Sequence, residues 1–355
     1  MKEKKKVQGD NRYKILILSL TFFLLAVCIQ EKAEAQALTK TVVDMGGNEV
    51  TVPKNVNRIV ITCYGGATHE IAALGGAEKI VGQPSMLRFP TLVRMYPGFK
   101  KTVDPGSFNN VNIEEILNLK PDVVIASLTA EQGNRKIVEA GIPVIRVYTG
   151  RANDPSDSKR EFLMIGELLN SKRQAEELVE FWDRQLQIIE ERTADIPQGM
   201  RKRVYYLLGS LTHTNGSAWW GETLITSAGG INVAHEIGKL RDITVEQLLG
   251  WNPDVMILSS NEGKFVPVEE VMNNGQLQGV RAVIDGAVYL CPVGTFWWDR
   301  PAPEAILGIT WLAQTLYPER FGDIDLEKLS QDFYHRFYGY RLSHDEFASF
   351  ITPQD

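Results

Sequence analysis

The sequence has little cysteine, little net charge and no apolar run long enough for a typical membrane span, and each shortage excludes a class of protein. Its 355 residues include three cysteines, with no Cys-x-x-Cys pair and no Cys/His spacing of the kind found in zinc sites. The formal net charge is -6, so the chain does not offer the basic surface that nucleic acids require. An apolar run of about 15 residues follows Lys14, whereas a bilayer span takes roughly 20. With 44% hydrophobic and 23% charged residues, the composition is typical of a globular protein, and the length fits two domains.

The common catalytic and nucleotide-binding motifs are also missing. The chain contains no Gly-x-Ser-x-Gly, no Walker A sequence and no Gly-x-Gly-x-x-Gly after a predicted strand. A nitrogenase-like reductase, whose sheets have a related topology, needs bridging cysteines that this sequence lacks. We therefore expect a protein that is not an enzyme and has no intrinsic cofactor.

The N-terminus has the order of a secretion signal. Basic residues crowd positions 1–14, an apolar run fills 15–29, and the small residues Ala33 and Ala35 follow. This order predicts a Sec signal peptide at residues 1–35, cleaved near Ala35 or Ala37, and a periplasmic or extracytoplasmic protein. Cys28 follows Leu-Ala-Val, so a lipid anchor at Cys28 stays open as an alternative, as does an uncleaved membrane anchor.

One pattern of a short helix and a strand occurs twice in the chain. IEEILNLKPDVVIAS (113–127) and VEQLLGWNPDVMILS (245–259) share a glutamate, a Pro-Asp pair and a final serine, and their apolar positions coincide. Solenoid repeats lie much closer together than this, so the spacing indicates two similar domains.

Each copy of the pattern has a physical interpretation. Asn112 and Thr244 are good helix N-caps, and Glu115 and Gln247 three residues later are placed to complete capping boxes. The proline of each Pro-Asp pair ends the helix, because it disfavours helical geometry in the residue before it. The apolar runs that follow are typical of strands buried on both faces of a parallel sheet.

The remaining pattern predicts an α/β fold. Further strands are predicted at 58–62, 142–148, 203–208 and 287–292, with helical stretches between them. A helix from 171 to about 193 has apolar residues at helical spacing and would be roughly 35 Å long. We expect two similar lobes with central, mostly parallel sheets, joined by one long rigid helix, with the ligand cleft between the lobes. The predicted divisions are the signal peptide (1–35), the N-terminal lobe (36–154), the helical linker (155–197) and the C-terminal lobe with terminal helices (198–355).

Two α/β lobes joined by one long helix behind a signal peptide resemble the helix-linked class (class III) of periplasmic substrate-binding proteins of ABC importers. RIVITCYGGATHEIAALGGAEKIVG looks like that family's first strand, cleft loop and helix, and VNIEEILNLKPDVVIAS like its most recognisable block. GVRAVIDGAVYLCPVG looks like its late C-lobe strand. The resemblance implies a monomer that passes its ligand to a membrane permease with ATPase subunits.

The resemblance also implies metal-containing cargo. An iron–siderophore, that is a ferric chelate, is the first expectation. Vitamin B12 or another corrinoid, haem, a nickel or cobalt chelate and molybdate stay open. An exported binding or adhesion protein outside transport is the alternative from another class. No resident metal and no nucleic-acid partner are expected.

In the family that this chain resembles, one glutamate on the rim of each lobe docks into arginine pockets of the permease. By position in the repeated block, these glutamates are Glu114 and Glu246. A carboxylate in the first turn of a helix is also favoured by the helix dipole, which explains either residue alone. Shared descent of the two repeats is the other explanation for their equivalent placement.

The ligand is expected among the loops that leave the carboxyl ends of the parallel strands. The candidate residues there are aromatic or basic: Tyr64, Arg88, Phe108, Tyr148, His213, Trp219, Trp220, Trp297, Trp298 and Arg300. One tryptophan of each adjacent pair is expected to face the cleft, where it gives a rigid apolar surface for a chelate or macrocycle. Arg88 and Arg300 suit an anionic ligand, although a local salt bridge from Arg300 to Asp299 stays open.

Histidines and cysteines fall near the same loops, one of each per lobe. Two histidines make a poor metal cage without carboxylates beside them, so a hydrogen-bonding or capping role is expected for His69 and His213 in place of metal ligation. Cys63 and Cys291 are expected to be free thiols, because a disulfide would staple a cleft that has to admit ligand.

Overall fold

The computed structural model describes residues 38–148, 154–260 and 264–352. The predicted signal peptide at 1–35, Cys28, and positions 261–262 of the predicted cleft loops lie outside these ranges. None of the helices in the described part of the chain is long and apolar enough to cross a membrane.

Strands and helices alternate along most of the chain. The strands are β1 (Thr39–Val43), β2 (Glu49–Pro53), β3 (Ile59–Ile61), β4 (Ile80–Gly82), β5 (Gly106–Ser107), β6 (Asn110–Val111), β7 (Val123–Ser127), β8 (Val144–Val147), β9 (Arg203–Leu208), β10 (His213–Thr214), β11 (Ile231–Asn232), β12 (Arg241–Asp242), β13 (Val255–Ser259) and β14 (Val288–Leu290). The α-helices are α1 (Ala67–Ala73), α2 (Pro90–Met95), α3 (Ile113–Leu119), α4 (Glu131–Glu139), α5 (Pro155–Leu169), α6 (Lys172–Thr193), α7 (Trp220–Ser227), α8 (Val245–Trp251), α9 (Val268–Met272), α10 (Arg281–Ile284), α11 (Ala305–Leu316), α12 (Pro318–Phe321), α13 (Leu326–Tyr338) and α14 (His344–Ile351).

Each lobe is built on a four-stranded parallel sheet, and the two sheets have the same topology. The strand order is β4-β3-β7-β8 in the N-terminal lobe and β11-β9-β13-β14 in the C-terminal lobe. In both, the second strand along the chain lies at the edge beside the first, and all neighbouring strands are parallel. Strands β7 and β13 are buried along their whole length, as expected for sheets covered by helices on both faces. The predicted fold of two similar parallel-sheet lobes is confirmed.

The helices of the two repeats begin and end in the same way. The side chain of Asn112 caps α3 by accepting from the N–H of Glu115. Thr244 caps α8 and forms the complete capping box with Gln247. Each helix then ends at a left-handed residue, Lys120 with φ 45° and Asn252 with φ 44°. The helices therefore end by a left-handed C-terminal turn and not simply because a proline follows.

The aspartates of the two Pro-Asp pairs join each repeat helix to its sheet. Asp122 Oδ2 accepts a hydrogen bond from the backbone N–H of Arg58 at 2.9 Å, and Asp254 Oδ2 accepts one from the N–H of Arg203 at 2.9 Å. The N–H of each aspartate donates in return to the carbonyl of the same arginine, at 2.8 Å in both lobes. The repeat thus positions β3 and β9 by the same pair of bonds.

Helices α5 and α6 form the connection between the lobes. The 22 residues of α6 match the predicted long helix and extend about 33 Å. Gly166 lets the two helices pack closely, because a Cβ at this position would lie 2.4 Å from the Cβ of Ala175. Trp182 packs edge-on against Phe162 of α5, and its Nε1 donates to the carbonyl of Pro303 in the C-terminal lobe at 2.9 Å. These contacts stiffen the joint between the lobes.

Candidate functional site

Two guanidinium groups, one from each lobe, lie on the ring of Trp297. The Cζ atom of Arg300 is 3.9 Å from the centroid of the indole, and that of Arg88 is 5.3 Å from it. Both distances are within the range of cation–π contacts. The loop after β14 carries Trp297 and Arg300, and the segment between β4 and α2 carries Arg88, so the contact spans the cleft.

Arg300 is held from several sides but keeps hydrogen-bonding capacity. Its Nη2 donates to the carbonyl of Ser260, and its Cζ lies 5.3 Å from the ring of Trp220. Its Nε is 3.8 Å from Asp299 Oδ1, an ion pair too long for a hydrogen bond. Within the described residues this Nε has no hydrogen-bond partner. The local pair with Asp299 therefore exists, and the Nε donor beside it is buried without a partner.

A buried polar network lies beneath Arg300. Asp299 has a fully buried side chain, and its Oδ2 accepts hydrogen bonds from the hydroxyls of Tyr206 and Ser259. The Tyr206 hydroxyl also accepts from Nε1 of Trp220 at 3.0 Å. Burial raises the pKa of Tyr206 well above its usual value, and the charge of Asp299 raises it further, so the phenol remains a donor. Sequence reasoning missed Tyr206 and Ser259, because both read as ordinary residues of buried strands.

Arg88 faces the cleft with a positive charge that no carboxylate pairs in the described structure. Its Cζ lies 4.5 Å from the ring centroid of Tyr64 and 5.2 Å from that of Phe89, while part of the residue remains exposed to solvent. Desolvation of the guanidinium lowers the pKa of Arg88. Tyr64 raises this pKa in part, and the positive charge of Arg300 lowers it. The two guanidinium groups carry two positive charges and repel each other, while Asp299 supplies one nearby negative charge. The net positive charge that remains attracts an anion.

The cavities at this site are small. One of about 20 Å³ lies beside Arg300 and Trp220, and one of about 10 Å³ lies beside Arg88 and Tyr64. Pockets that enclose drug-sized ligands have roughly 300–1,000 Å³. A larger hollow of about 740 Å³ opens next to Arg203 at the amino end of β9, away from the carboxyl ends that face the cleft. Each small cavity has room for about one water molecule, so the lobes have to separate before a ligand enters the cleft.

The two predicted docking glutamates occupy equivalent, exposed positions. Glu114 lies in the first turn of α3 and Glu246 in the first turn of α8, and neither forms an ion pair with a residue that the structure describes. Hydrogen bonding to backbone N–H and to the side chain of Thr244 lowers the pKa of Glu246. Both carboxylates are thus open to a partner.

Residues 60–293 match the family model of the periplasmic binding proteins. The chain belongs to this family. A relative, the molybdate-binding protein MolA of Haemophilus influenzae, is 30% identical over 340 residues, which are 89% of this chain and 95% of MolA. Another, the Fe(3+)-citrate-binding protein YfmC of Bacillus subtilis, is 26% identical over 52% of this chain and 58% of its own length.

Solved structures give the same assignment. A periplasmic solute binding protein from Veillonella parvula has a TM-score of 0.77 and 27% identity, covering 88% of this chain and 97% of its own. The structure of MolA bound to molybdate has a TM-score of 0.74 and 29% identity, and the match covers 86% of this chain and 99% of MolA. The chain is therefore a class III binding protein of the ABC-importer type, as its resemblance implied. Binding proteins of this family are extracytoplasmic and work with a cognate ABC permease.

Of the two adjacent tryptophan pairs of this binding protein, the second divides between cleft and core, whereas Trp219 and Trp220 are both half-buried. Trp220 lies near Arg300, and Trp219 packs against it with ring centroids 4.9 Å apart. Trp297 carries the two guanidinium groups, whereas Trp298 is fully buried and donates from Nε1 to Glu304 at 3.0 Å. Trp298 therefore lies in the core of the C-terminal lobe and not on the surface of the cleft, because its polar group finds a buried carboxylate.

Tyr148 and His213 do not contact the arginine pair in the described structure. The hydroxyl of Tyr148 accepts a hydrogen bond from Arg160 Nη2 at 2.8 Å. His213 belongs to the small antiparallel pair β10–β12, where its Nδ1 lies 2.8 Å from Asp242 Oδ1. Sequence analysis expected no carboxylate near His213, because Asp242 is distant along the chain and only the pairing of β10 with β12 brings it close.

His69 forms a buried contact between the lobes. It lies within α1, not in a loop, and its Nε2 is 2.9 Å from the carbonyl oxygen of Thr295 in the C-terminal lobe. Burial lowers the pKa of His69 to about 3, so the ring is neutral and donates through Nε2–H. The backbone N–H of Thr295 donates in turn to the carboxylate of Glu304 at 3.1 Å. The hydrogen-bonding role expected for His69 is thus a bridge across the cleft.

Phe108 occupies a strained position at the tip of the β5–β6 hairpin. Its φ is 54°, in the left-handed region that a bulky residue rarely adopts. Its N–H donates to the carbonyl of Thr62 at 2.7 Å, and a Cβ on Gly133 would lie 2.0 Å from its carbonyl oxygen. The ring lies 6.4 Å from that of Tyr64. Strain that surrounding contacts maintain is typical of functional positions.

Replacing Phe108 with asparagine is expected to lower ligand affinity and leave stability nearly unchanged. Asparagine tolerates the left-handed region, so relief of about 1 kcal/mol of strain offsets the lost packing of a half-buried ring. Urea unfolding should place the variant within about 1 kcal/mol of the parent, while titration shows weaker binding. A loss of stability beyond about 3 kcal/mol, as for a core aromatic, would show that Phe108 is a packing residue.

A buried pair of carboxyl groups joins α1 to the linker. Glu70 of α1 and Glu161 of α5 are hydrogen-bonded to each other, and Glu161 Oε2 accepts from the N–H of Tyr148 at 2.7 Å. Burial raises the pKa of Glu161 to about 7 and that of Glu70 well above its usual range. The pair therefore keeps at least one proton where a free glutamate has lost it.

The pair should make stability depend on pH. Between pH 4.5 and about 7 the unfolded chain releases the Glu161 proton and the folded protein retains it, so the free energy of unfolding falls as pH rises. Glu161→Gln keeps an acceptor for the Tyr148 N–H and removes the proton. Between pH 5 and pH 8, the free energy of unfolding of this variant should fall by about 2 kcal/mol less than that of the parent. Urea titrations across this range provide the measurement, with the exposed Glu180→Gln as control, and parallel profiles for parent and Glu161→Gln would contradict the assignment.

Proposed function

We propose that this protein captures a small oxyanion of the molybdate class between its lobes, without catalysis, and delivers it to an ABC permease. The observation that carries the proposal is the pair of guanidinium groups, Arg88 and Arg300, on opposite sides of the cleft and in contact with Trp297. Guanidinium N–H groups form charge-assisted hydrogen bonds with oxyanions. An anion between the two lobes also removes the repulsion between the two cations, so binding favours the closed arrangement.

Two further observations support an oxyanion. The cleft cavities of about 10 and 20 Å³ require the lobes to separate for any ligand, and a single oxyanion requires a smaller separation than a corrinoid or a large chelate. The relative MolA, whose name records molybdate, shares 30% identity over 89% of this chain. The rings of Trp220 and Trp297 shield the guanidinium of Arg300, whose side chain is 12% exposed, and this strengthens its attraction for an anion.

A ferric chelate, the first expectation from the sequence, is the second candidate. Arginine also binds the carboxylate oxygens of a chelator, and the relative YfmC is named for ferric citrate. A chelate is larger than a single oxyanion, so it requires the lobes to separate further and the contact of His69 with Thr295 to open.

Titration of the mature protein with molybdate, tungstate, sulfate, ferric citrate and cyanocobalamin separates these candidates. Tryptophan fluorescence reports on Trp297, and calorimetry gives the stoichiometry. We expect one molybdate or tungstate per chain and no binding of cyanocobalamin. Binding of ferric citrate without binding of molybdate would replace the first candidate by the second. Metal analysis of protein purified from its native compartment, giving molybdenum or iron, is the independent check.

For delivery, we propose that Glu114 and Glu246 anchor the two lobes on the permease. Each is exposed, lies in the first turn of the repeat helix of its lobe and makes no ion pair in the described structure. The two sheets share one topology, so the carboxylates sit at equivalent places on the two lobes. Such a pair fits a membrane partner with two matching basic pockets.

A further inference from the structure

The repeat helices α3 and α8 each leave one leucine outside the core. Leu117 is 46% exposed and Leu249 is 40% exposed. The other apolar residues of these helices pack into the lobes: Ile113, Ile116 and Leu119 in α3, and Val245, Leu248 and Trp251 in α8. The two exposed leucines match each other in the alignment of the repeats, so each lobe presents the same uncovered apolar side chain.

Each leucine lies beside a docking glutamate. Leu117 follows Glu114 by three positions, and Leu249 follows Glu246 by three. Residues three apart on a helix are neighbours on its surface, with Cβ atoms about 5–6 Å apart. The outer face of each repeat helix thus carries a carboxylate without an ion pair and, one turn later, an exposed leucine, which we call the Glu–Leu pair.

The fold does not need these leucines to be apolar. Single exposed apolar residues are common on protein surfaces, and Leu163 of α5, 39% exposed, is one such case. Leu117 and Leu249 differ from it because they occur once per lobe at one repeat position, and the carboxylate beside each is also repeated between the lobes. An apolar group beside a charge is the composition of an interface anchor, where the apolar contact excludes water from the ion pair.

We infer that the Glu–Leu pairs are two equivalent contact points for one partner that presents two matching sockets, each with a basic group and an apolar wall. This inference rests on the proposed delivery, and it identifies that partner surface on the permease as partly apolar. The charge complementarity of Glu114 and Glu246 selects a basic partner, and the equivalence of the two lobes selects one with two-fold symmetry. In this arrangement the leucines supply affinity, and the glutamates supply orientation and rate of encounter.

The test uses the complete cognate transporter reconstituted in liposomes, and measures ATP hydrolysis as the binding protein is titrated in. Leu117→Ser with Leu249→Ser is expected to raise the half-saturating concentration by about tenfold or more, as loss of two apolar anchors does, with the maximal rate unchanged. The control Leu163→Ser removes an equally exposed leucine outside the Glu–Leu pairs and should match the parent. Circular dichroism and urea unfolding check that all three proteins are equally folded.

The outcomes distinguish this inference from the proposed function. An unchanged half-saturating concentration in the double leucine variant overturns the inference, and so does an equal rise in Leu163→Ser. Neither result depends on the ligand, because stimulation by the unliganded protein is measured as well. Failure of molybdate to bind the parent overturns the proposed ligand and leaves the leucine comparison intact.

Discussion

Arg88→Ala is expected to lower the affinity for molybdate by about 100-fold without unfolding the protein. Arg88 has no carboxylate partner in the described structure, and its contacts are with the rings of Tyr64, Phe89 and Trp297. A charge-assisted hydrogen bond contributes about 1.5–3 kcal/mol, and two of them to one oxyanion exceed the roughly 2.8 kcal/mol that 100-fold requires. Stability should change by less than about 1 kcal/mol.

Arg300 needs a more conservative replacement, because removal of its charge leaves Asp299 buried beside no cation. Arg300→Lys retains the charge but loses the planar fork that bonds two oxygens at once. We expect this variant to fold and to bind molybdate at least about tenfold more weakly. Arg173→Ala, which removes an arginine from the exposed face of α6, is the matched control and should bind as the parent does. Unchanged affinity in both Arg88→Ala and Arg300→Lys would show that the ligand lies elsewhere.

The second large effect is expected in transport. Glu114→Lys with Glu246→Lys should abolish uptake of molybdate in cells that carry the cognate permease, and leave ligand affinity and folding unchanged. Each exposed ion pair contributes only about 0–1 kcal/mol. Reversal, however, replaces two attractions by two repulsions on one rigid body, and like charges at an interface cost several kcal/mol.

A charge-matched control separates docking from net charge. Glu131→Lys with Glu269→Lys also reverses two exposed glutamates in first turns, one in each lobe, on α4 and α9. This control should transport normally. Normal uptake by the Glu114/Glu246 variant would remove their docking role, and loss of ligand binding would place the two residues in the cleft.

Local patterns in the sequence predicted the fold well. The limits of β9 were predicted at 203–208 and observed there, because its apolar run begins and ends at polar or glycine residues. The repeat predicted two similar lobes, and the common strand order confirms it. The ends of α3 and α8 were predicted at the right residues, but the left-handed conformation of Lys120 and Asn252 was not, because the following proline favours an extended residue instead.

The site was harder to predict, because loops carry no periodicity that tells which side chain faces the cleft. Trp297 and Trp298 are adjacent in sequence, and only the buried carboxylate of Glu304 draws Trp298 into the core. Glu304 itself gave no signal, since a glutamate before an apolar helix is usually an exposed residue. The two arginines were found by residue type alone, and their meeting on Trp297 depends on how the lobes are joined by α5 and α6.

The most direct measurement is anomalous diffraction from crystals of the protein grown with molybdate, recorded at the molybdenum edge. We expect one strong peak between the lobes, with oxyanion oxygens within hydrogen-bonding distance of both Arg88 and Arg300. A molybdenum peak at another place, or none when molybdate saturates the protein in solution, would contradict the proposed site.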